Sequence, residues 1–217
     1  MLPADFTVKF TPPAAVAKPL AGETMGPQVA KPKVVKPQDT GESDEVISMA
    51  REYIKANEGV RNSPYKDSKG LWTVGIGHLM TPEEIKSIGT RKLSDQEVND
   101  IFARDLNSKV KMVRSKLGNT YDALPTRVKV AIIDGFFRGD MSGSPKALEL
   151  IKAGKLNEAA DEYLNNREYR DSVALNKKGK PHGVAGRMER NAQALREAAK
   201  AKSAPVGRKL SQATLQR

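Results

Sequence analysis

The 217-residue sequence contains no cysteine, so it can form neither a disulfide framework nor a cysteine-ligated metal site, and the fold must hold by packing alone. With only two histidines besides, a transition-metal centre is not expected, and no cofactor motif appears. Aromatics are scarce, at 5% with a single tryptophan, which leaves few platforms for stacking nucleobases. No apolar run approaches the ~20 residues of a membrane span. The opening MLPADFTVKFTPP has no charged region ahead of a long apolar one, so no signal peptide is expected.

What is present is positive charge. The formal net charge is +11, and residues 1–45 carry five lysines against six acids, so the excess sits in the remainder of the chain. Such a field draws polyanions such as nucleic acid, anionic membrane or cell-wall polymer; the plainer reading is a soluble basic surface. Seven of the 13 prolines fall within residues 1–43, where no period persists. That segment reads as a flexible, disordered tail.

From Ser43 the texture becomes helical. Val46, Ile47, Ala50, Tyr53 and Ile54 recur at helical spacing to about Asn57, and Gly59 stops the run with Glu58 at its end. Residues 65–78, YKDSKGLWTVGIGH, read as a small antiparallel sheet turning at Asp67–Gly70; glycines at 75 and 77 point to a bulge or close backbone approach. Helices follow. Thr81-Pro82 caps one. The Ser94…Glu97 capping box opens a long connecting helix to about Gly118. The run from Pro125 is apolar nearly all round through Phe137 and predicts a buried helix. Further helices are expected from Ser144 to Gly154, over 156–164, briefly near Tyr169, and over 184–200. Asn176–Pro181 reads as an exposed basic loop, and a basic tail covers 201–217. The expected organisation is thus a tail over 1–43, a folded domain over 44–200 and a C-terminal tail over 201–217. The fold class is α+β, mostly helical, with a small sheet lobe and a helical C-terminal lobe.

Glycoside hydrolysis needs two carboxyl groups flanking one bond, one to protonate the leaving oxygen and one to activate water or attack the sugar. Glu58 leaves a helix at a lobe junction, Asp67 sits on a hairpin nine residues on, and Thr73 offers a hydroxyl that can hold a water. Taken singly, each acid reads as a solvated surface charge. The full pattern is more specific. Glu58, Asp67 and Thr73 followed by Gly75-Ile76-Gly77-His78-Leu79, in EGVRNSPYKDSKGLWTVGIGHL, closely resembles the T-even-type phage lysozyme family of muramidases, also called endolysins. A looser likeness, including AIIDGFF and GRMER, covers roughly residues 46–197.

The resemblance implies a two-lobed lysozyme-like fold. It also implies hydrolysis of the β-1,4 bond between N-acetylmuramic acid and N-acetylglucosamine in peptidoglycan. Glu58 would be the general acid, Asp67 the base or electrostatic partner, and Thr73 a help in placing water. An inverting mechanism is expected, with carboxyl groups ~6.5–9.5 Å apart. Leu79, Phe137 and Ser144 would contact the sugar chain. Arg187 would pair with Glu58, and His78 would be structural. Three positions depart from the family pattern: Asn57, Arg138 and Glu162. They put subsite usage in question. Expected partners are peptidoglycan and either a separate holin-type membrane pore or virion proteins reached through the tail. A monomer with no specific nucleic acid is expected, held in the host bacterial cytoplasm until release to the wall or carried in the virion. The reading from a different class is a basic nucleic-acid-associated or virion structural protein, against which stand the few aromatics and the lack of a recognition-helix signature. His182 reads as exposed in the basic loop, Trp72 as half-buried sheet packing, and Arg138-Gly139-Asp140 as a helix-ending turn.

Overall fold

The computed structural model describes residues 40–67, 69–180 and 183–203. Most of the proline-rich leading segment, His182 and the basic tail from residue 204 lie outside the described residues, as does Ser68 in the hairpin. The described residues all belong to one compact unit.

The first helix, α1 (Asp44–Glu58), is capped by Ser43, whose hydroxyl accepts the Val46 N–H, and it buries Val46, Ala50 and Ile54. Three strands follow, β1 (Arg61–Lys66), β2 (Trp72–Gly75) and β3 (His78–Leu79), in an antiparallel sheet of order β1-β2-β3. Pro64 removes a ladder donor, and the β1–β2 register slips between Arg61 and Tyr65, where a proline is tolerated on an edge. That irregular edge is covered by the segment before the long helix, since the Leu93 N–H donates to Asn62 O at 2.9 Å.

A short helix α2 (Pro82–Ile88) and the long α3 (Asp95–Leu117) each begin with a reciprocal capping box, Thr81 with Glu84 and Ser94 with Glu97. At 1.5 Å per residue α3 runs about 34 Å. It reaches from the sheet, where Val98 packs under β2, to the helical part. Its buried stripe is Val98, Phe102, Leu106, Val110, Val113 and Leu117. Next come α4 (Asn119–Asp122), α5 (Thr126–Arg138), α6 (Pro145–Lys152), α7 (Leu156–Leu164), α8 (Arg167–Lys177) and α9 (Gly183–Ser203). The α5 helix buries every residue from Val130 to Phe136 and is enclosed by α1, α3 and α9. This is the mostly helical α+β architecture expected, with a small sheet at one end of a long connecting helix.

Two expectations need correction. The helix near Tyr169 is not brief: Asn166 accepts the Tyr169 N–H and starts 11 residues of α8. It therefore takes in Asn176 and Lys177, which were expected in the basic loop. Its polar composition hid it, because Ser172 is its only buried residue. The four-residue α4 was not anticipated at all.

Candidate active site

Glu58 closes α1, where Gly59 at φ 71 ends the helix and donates its N–H to Lys55 O. The Glu58 side chain is 24% exposed. On one side its Oε1 accepts a 2.6 Å bond from Arg187 Nη1. On the other, Oε2 lies against Gly77, where a Cβ would stand 3.2 Å away. Gly77 also holds φ at +69, so this turn between β2 and β3 needs glycine both for its backbone and for the closeness of Glu58. The close approach read from the glycines is borne out at this turn. At Gly75 a Cβ would come 3.3 Å from Val98 Cγ1.

Asp67 sits just past β1, one step beyond the Lys66–Trp72 pair. Its Oδ1 accepts the N–H of Lys69 at 2.8 Å and of Leu71 at 2.9 Å, and its own N–H donates to Leu71 O. An aspartate bonding its own following backbone is the local device that sets such a turn, and here it also fixes the direction of the carboxylate. Thr73 stands opposite Tyr65 on one side and Leu79 on the other. Directly opposed residues share a face, so Tyr65, Thr73 and Leu79 lie on one side of the sheet. Along this face Thr73 is 5% exposed, with its hydroxyl donating to Leu71 O at 3.3 Å, while Leu79 is 54% exposed. Trp72 is half-buried, packed against the core as expected.

His78 pairs with Val74 and points to the opposite face. Its Nδ1 lies 2.7 Å from Asp105 Oδ2 and its Nε2 2.8 Å from Glu84 Oε2. With a carboxylate on each ring nitrogen, both nitrogens donate at once only when the imidazole is protonated. Burial works against that charge, but the bonds to Asp105 and Glu84 outweigh it and raise the His78 pKa. Burial likewise opposes the Glu84 charge, yet the Thr81 N–H, His78 and Arg104 together bring its carboxyl down to about 2.

Arg187 is 7% exposed and comes from α9. Besides Glu58 it holds Asp134, a fully buried residue of α5, through Nε at 3.0 Å and Nη2 at 2.7 Å. Burial opposes the guanidinium charge, and the bonds to Asp134 and Glu58 more than offset this, so Arg187 is a permanent cation. Asn191, one turn on, donates to Asp134 Oδ2 at 2.8 Å and accepts from Tyr53 OH at 3.2 Å. Beside Glu58, Asn57 accepts from Arg190 Nη2 at 2.7 Å. Two arginines three apart on α9 therefore grip the last two residues of α1.

The remaining expected groove residues are tied into the helical part. Phe137 is partly buried and meets Phe102 edge-to-face at 5.6 Å. Ser144 precedes Pro145 at the start of α6, but its hydroxyl donates back to Asp140 O at 2.9 Å instead of capping the helix. Arg138 is held by Asp140 at 2.8 Å and by Glu168, and Glu162 by Lys146 at 2.9 Å. Gly139 ends α5 at φ 100, which is the helix-ending turn expected there. Asp140 also accepts from Tyr163 OH at 2.9 Å; burial pushes its carboxyl up to about 6 against the pull of Arg138 and that bond.

The structure thus brings Glu58, Arg187 and Gly77 together, sets Thr73 and Leu79 on one sheet face with Asp67 in the hairpin just past β1, and places His78 on the opposite face. Sequence reasoning missed Asp134, Asn191, Glu84 and Asp105. A signal for Asp134 was available: a lone acid in AIIDGFF, inside a helix apolar all round, must be buried and must have a partner. Among the described residues no three potential ligands cluster as a metal site. Glycosidic bond cleavage calls for two carboxyl groups, and the structure holds one half-buried at the end of α1 and another fixed by a hairpin turn.

Residues 55–192 match the family model described as phage lysozyme. Two proteins of Dictyostelium discoideum are also similar, "Probable T4-type lysozyme 2" and "Probable T4-type lysozyme 1". Each is 27% identical over 144 residues, covering 56% of this chain and 85% of the relative.

Proposed function

The chain belongs to the phage lysozyme family, and on that premise we propose that it hydrolyses the β-1,4 bond between N-acetylmuramic acid and N-acetylglucosamine in bacterial peptidoglycan. The observation that carries this reading is the seating of Glu58, half-buried at a helix end between Arg187 and Gly77, the turn residue that follows the strand holding Thr73, with Asp67 in the hairpin before that strand. Partial burial suits a carboxyl that must deliver a proton, and closure over substrate strips water from it further. Glu58 protonates the leaving glycosidic oxygen. Asp67, its direction set by two backbone N–H groups, assists a water at the anomeric carbon, and the Thr73 hydroxyl helps to place that water. Leu79, Phe137 and Ser144 line the path of the sugar chain. The mechanism is inverting.

Arg138 and Glu162 are held by acidic and basic neighbours, which favours a shaping role at the groove's edge. The basic surface attracts an anionic wall. The setting is bacteriolytic: a monomeric endolysin held in the host cytoplasm until a holin-type pore releases it. The proline-rich segment, which falls outside the family match, favours a second setting, a lysozyme carried in the virion. Mass spectrometry of purified particles separates the two.

The test of the activity is product analysis on purified peptidoglycan. New reducing ends at N-acetylmuramic acid, formed first as the α-anomer, are expected. Reducing ends at N-acetylglucosamine, or 1,6-anhydro products, overturn the reading.

A further inference from the structure

Asp134 has no place in the chemistry just proposed, yet it is 0% exposed and ionisable, on the most enclosed helix of the molecule. An isolated charge in such a position is costly, and a group of this kind persists only when it is fully partnered. Its partners are specific. Oδ1 accepts from Arg187 Nε at 3.2 Å and Nη2 at 2.7 Å, and Oδ2 accepts from Arg187 Nε at 3.0 Å and Asn191 Nδ2 at 2.8 Å. This is the fork-to-fork arrangement that fixes the plane of a guanidinium. With the Nε–Nη2 edge clamped, Nη1 is left to project toward α1, where it meets Glu58 Oε1 at 2.6 Å. The direction of Nη1 therefore follows from the position of Asp134.

We propose that Asp134 is a positioning residue for the reaction: a buried carboxylate that orients Arg187 and, through it, sets the place and charge balance of Glu58. The inference rests on the reading of Glu58 as the general acid. The groups that face Asp134 are Arg187 and Asn191 from α9, Tyr163 from α7, which donates toward Asp140 and lies 3.4 Å from Asn191, and the Asp140 carboxyl past the end of α5, a nearby like charge. Glu58 from α1 is the second anion on the same cation. Arg187 thus serves two carboxylates, and the negative charge of Asp134 offsets part of the field that Glu58 would otherwise feel alone. A carboxyl that must give up a proton and a geometry that must be held to within about 1 Å both depend on that sharing.

Asp134→Asn keeps the shape and removes the charge. With Arg187 then committed to Glu58 alone, kcat is expected to fall about 10- to 100-fold with KM little changed. The alkaline limb of kcat against pH is expected to move to lower pH. Asn191→Ser, which disturbs the same packing without removing charge, is expected to lower Tm and leave that limb in place. An unchanged kcat and an unmoved limb in folded Asp134→Asn overturn the proposal, as does an equal displacement of the limb in Asn191→Ser. Wild type supplies a readout that does not depend on a variant folding. Its Arg187 guanidinium should give separate, slowly exchanging Nη proton signals by NMR, and a freely rotating guanidinium contradicts the clamp. Glu58→Gln run alongside separates the two levels. Activity retained there sinks the reading of Glu58 itself; activity lost there with Asp134→Asn at wild-type level sinks only the positioning role.

Discussion

Several cations among the described residues are each held between two carboxylates, and adjacent residues of one turn connect two of them. His78 lies between Asp105 and Glu84, and Arg187 between Asp134 and Glu58. Gly77 backs the Glu58 carboxyl, and His78, the next residue, points the other way. The two triads differ in burial and in chemistry. The acids around His78 are 20% and 22% exposed and its charge is titratable, so that triad ties β3 to α2 and α3 only while the imidazole is protonated. Arg187 stands on a fully buried acid and cannot be discharged. A site that must offer the same field at every working pH is better built on the second kind. The first suits a structural tie.

Removing Arg187 should break this comparison most sharply. Arg187→Leu leaves Asp134 buried with the Asn191 amide but no cation beside it, at a cost of about 3–5 kcal/mol by denaturant unfolding. A loss under 1 kcal/mol would mean that the buried triad is not what joins α5, α9 and the end of α1. His78→Gln should cost less, about 2 kcal/mol near pH 6, and its cost should depend on pH. The folded-state pKa of His78 is raised, so its contribution is full below the unfolded value of 6.5 and is lost as pH rises through the folded value. For Glu84 the sign is opposite: its contribution holds above 4.5 and fades as pH falls toward about 2. The gap between wild type and variant in thermal unfolding should therefore be widest between about pH 4.5 and 6.5 and narrow as pH rises above that window, and a constant gap contradicts the protonated triad. At Gly77, alanine must adopt φ +69 and push on Glu58, so Gly77→Ala should lose about 1–2 kcal/mol and lower kcat as well. Smallest of all, Arg91→Ala removes an exposed pair with Glu97, screened by water, and should shift stability by only a few tenths of a kcal/mol.

The two triads were unequally legible in the sequence. The Glu58–Leu79 stretch is local. Its turn formers, its glycines and the spacing of its acids lie within 22 residues, so helix end, hairpin and close approach are all readable from neighbouring residues. The capping box at Ser94 and the stripe of α3 were readable for the same reason: cap and period are properties of neighbours. Arg187 could be named only through the family likeness, since it lies 129 residues from Glu58. The roles of Asp134, Asn191 and Asp105 depend on how three helices pack, and no local period encodes that. The α8 helix was underestimated because a helix with one buried residue leaves almost no apolar stripe to detect. Asn57, one of the departures from the family pattern, has a partner in the structure: it accepts from Arg190, while the buried negative charge sits on Asp134.

The central claim is that the Glu58 carboxyl delivers the proton that breaks the wall polymer. Glu58→Gln keeps the side-chain shape and an oxygen for Arg187, so the protein should stay folded, as thermal unfolding will report. Its rate of clearing wall-permeabilised bacteria, and of releasing reducing sugar from purified peptidoglycan, should fall by about 10²–10⁴-fold. A folded Glu58→Gln that clears cells and cuts peptidoglycan as fast as wild type would contradict the account.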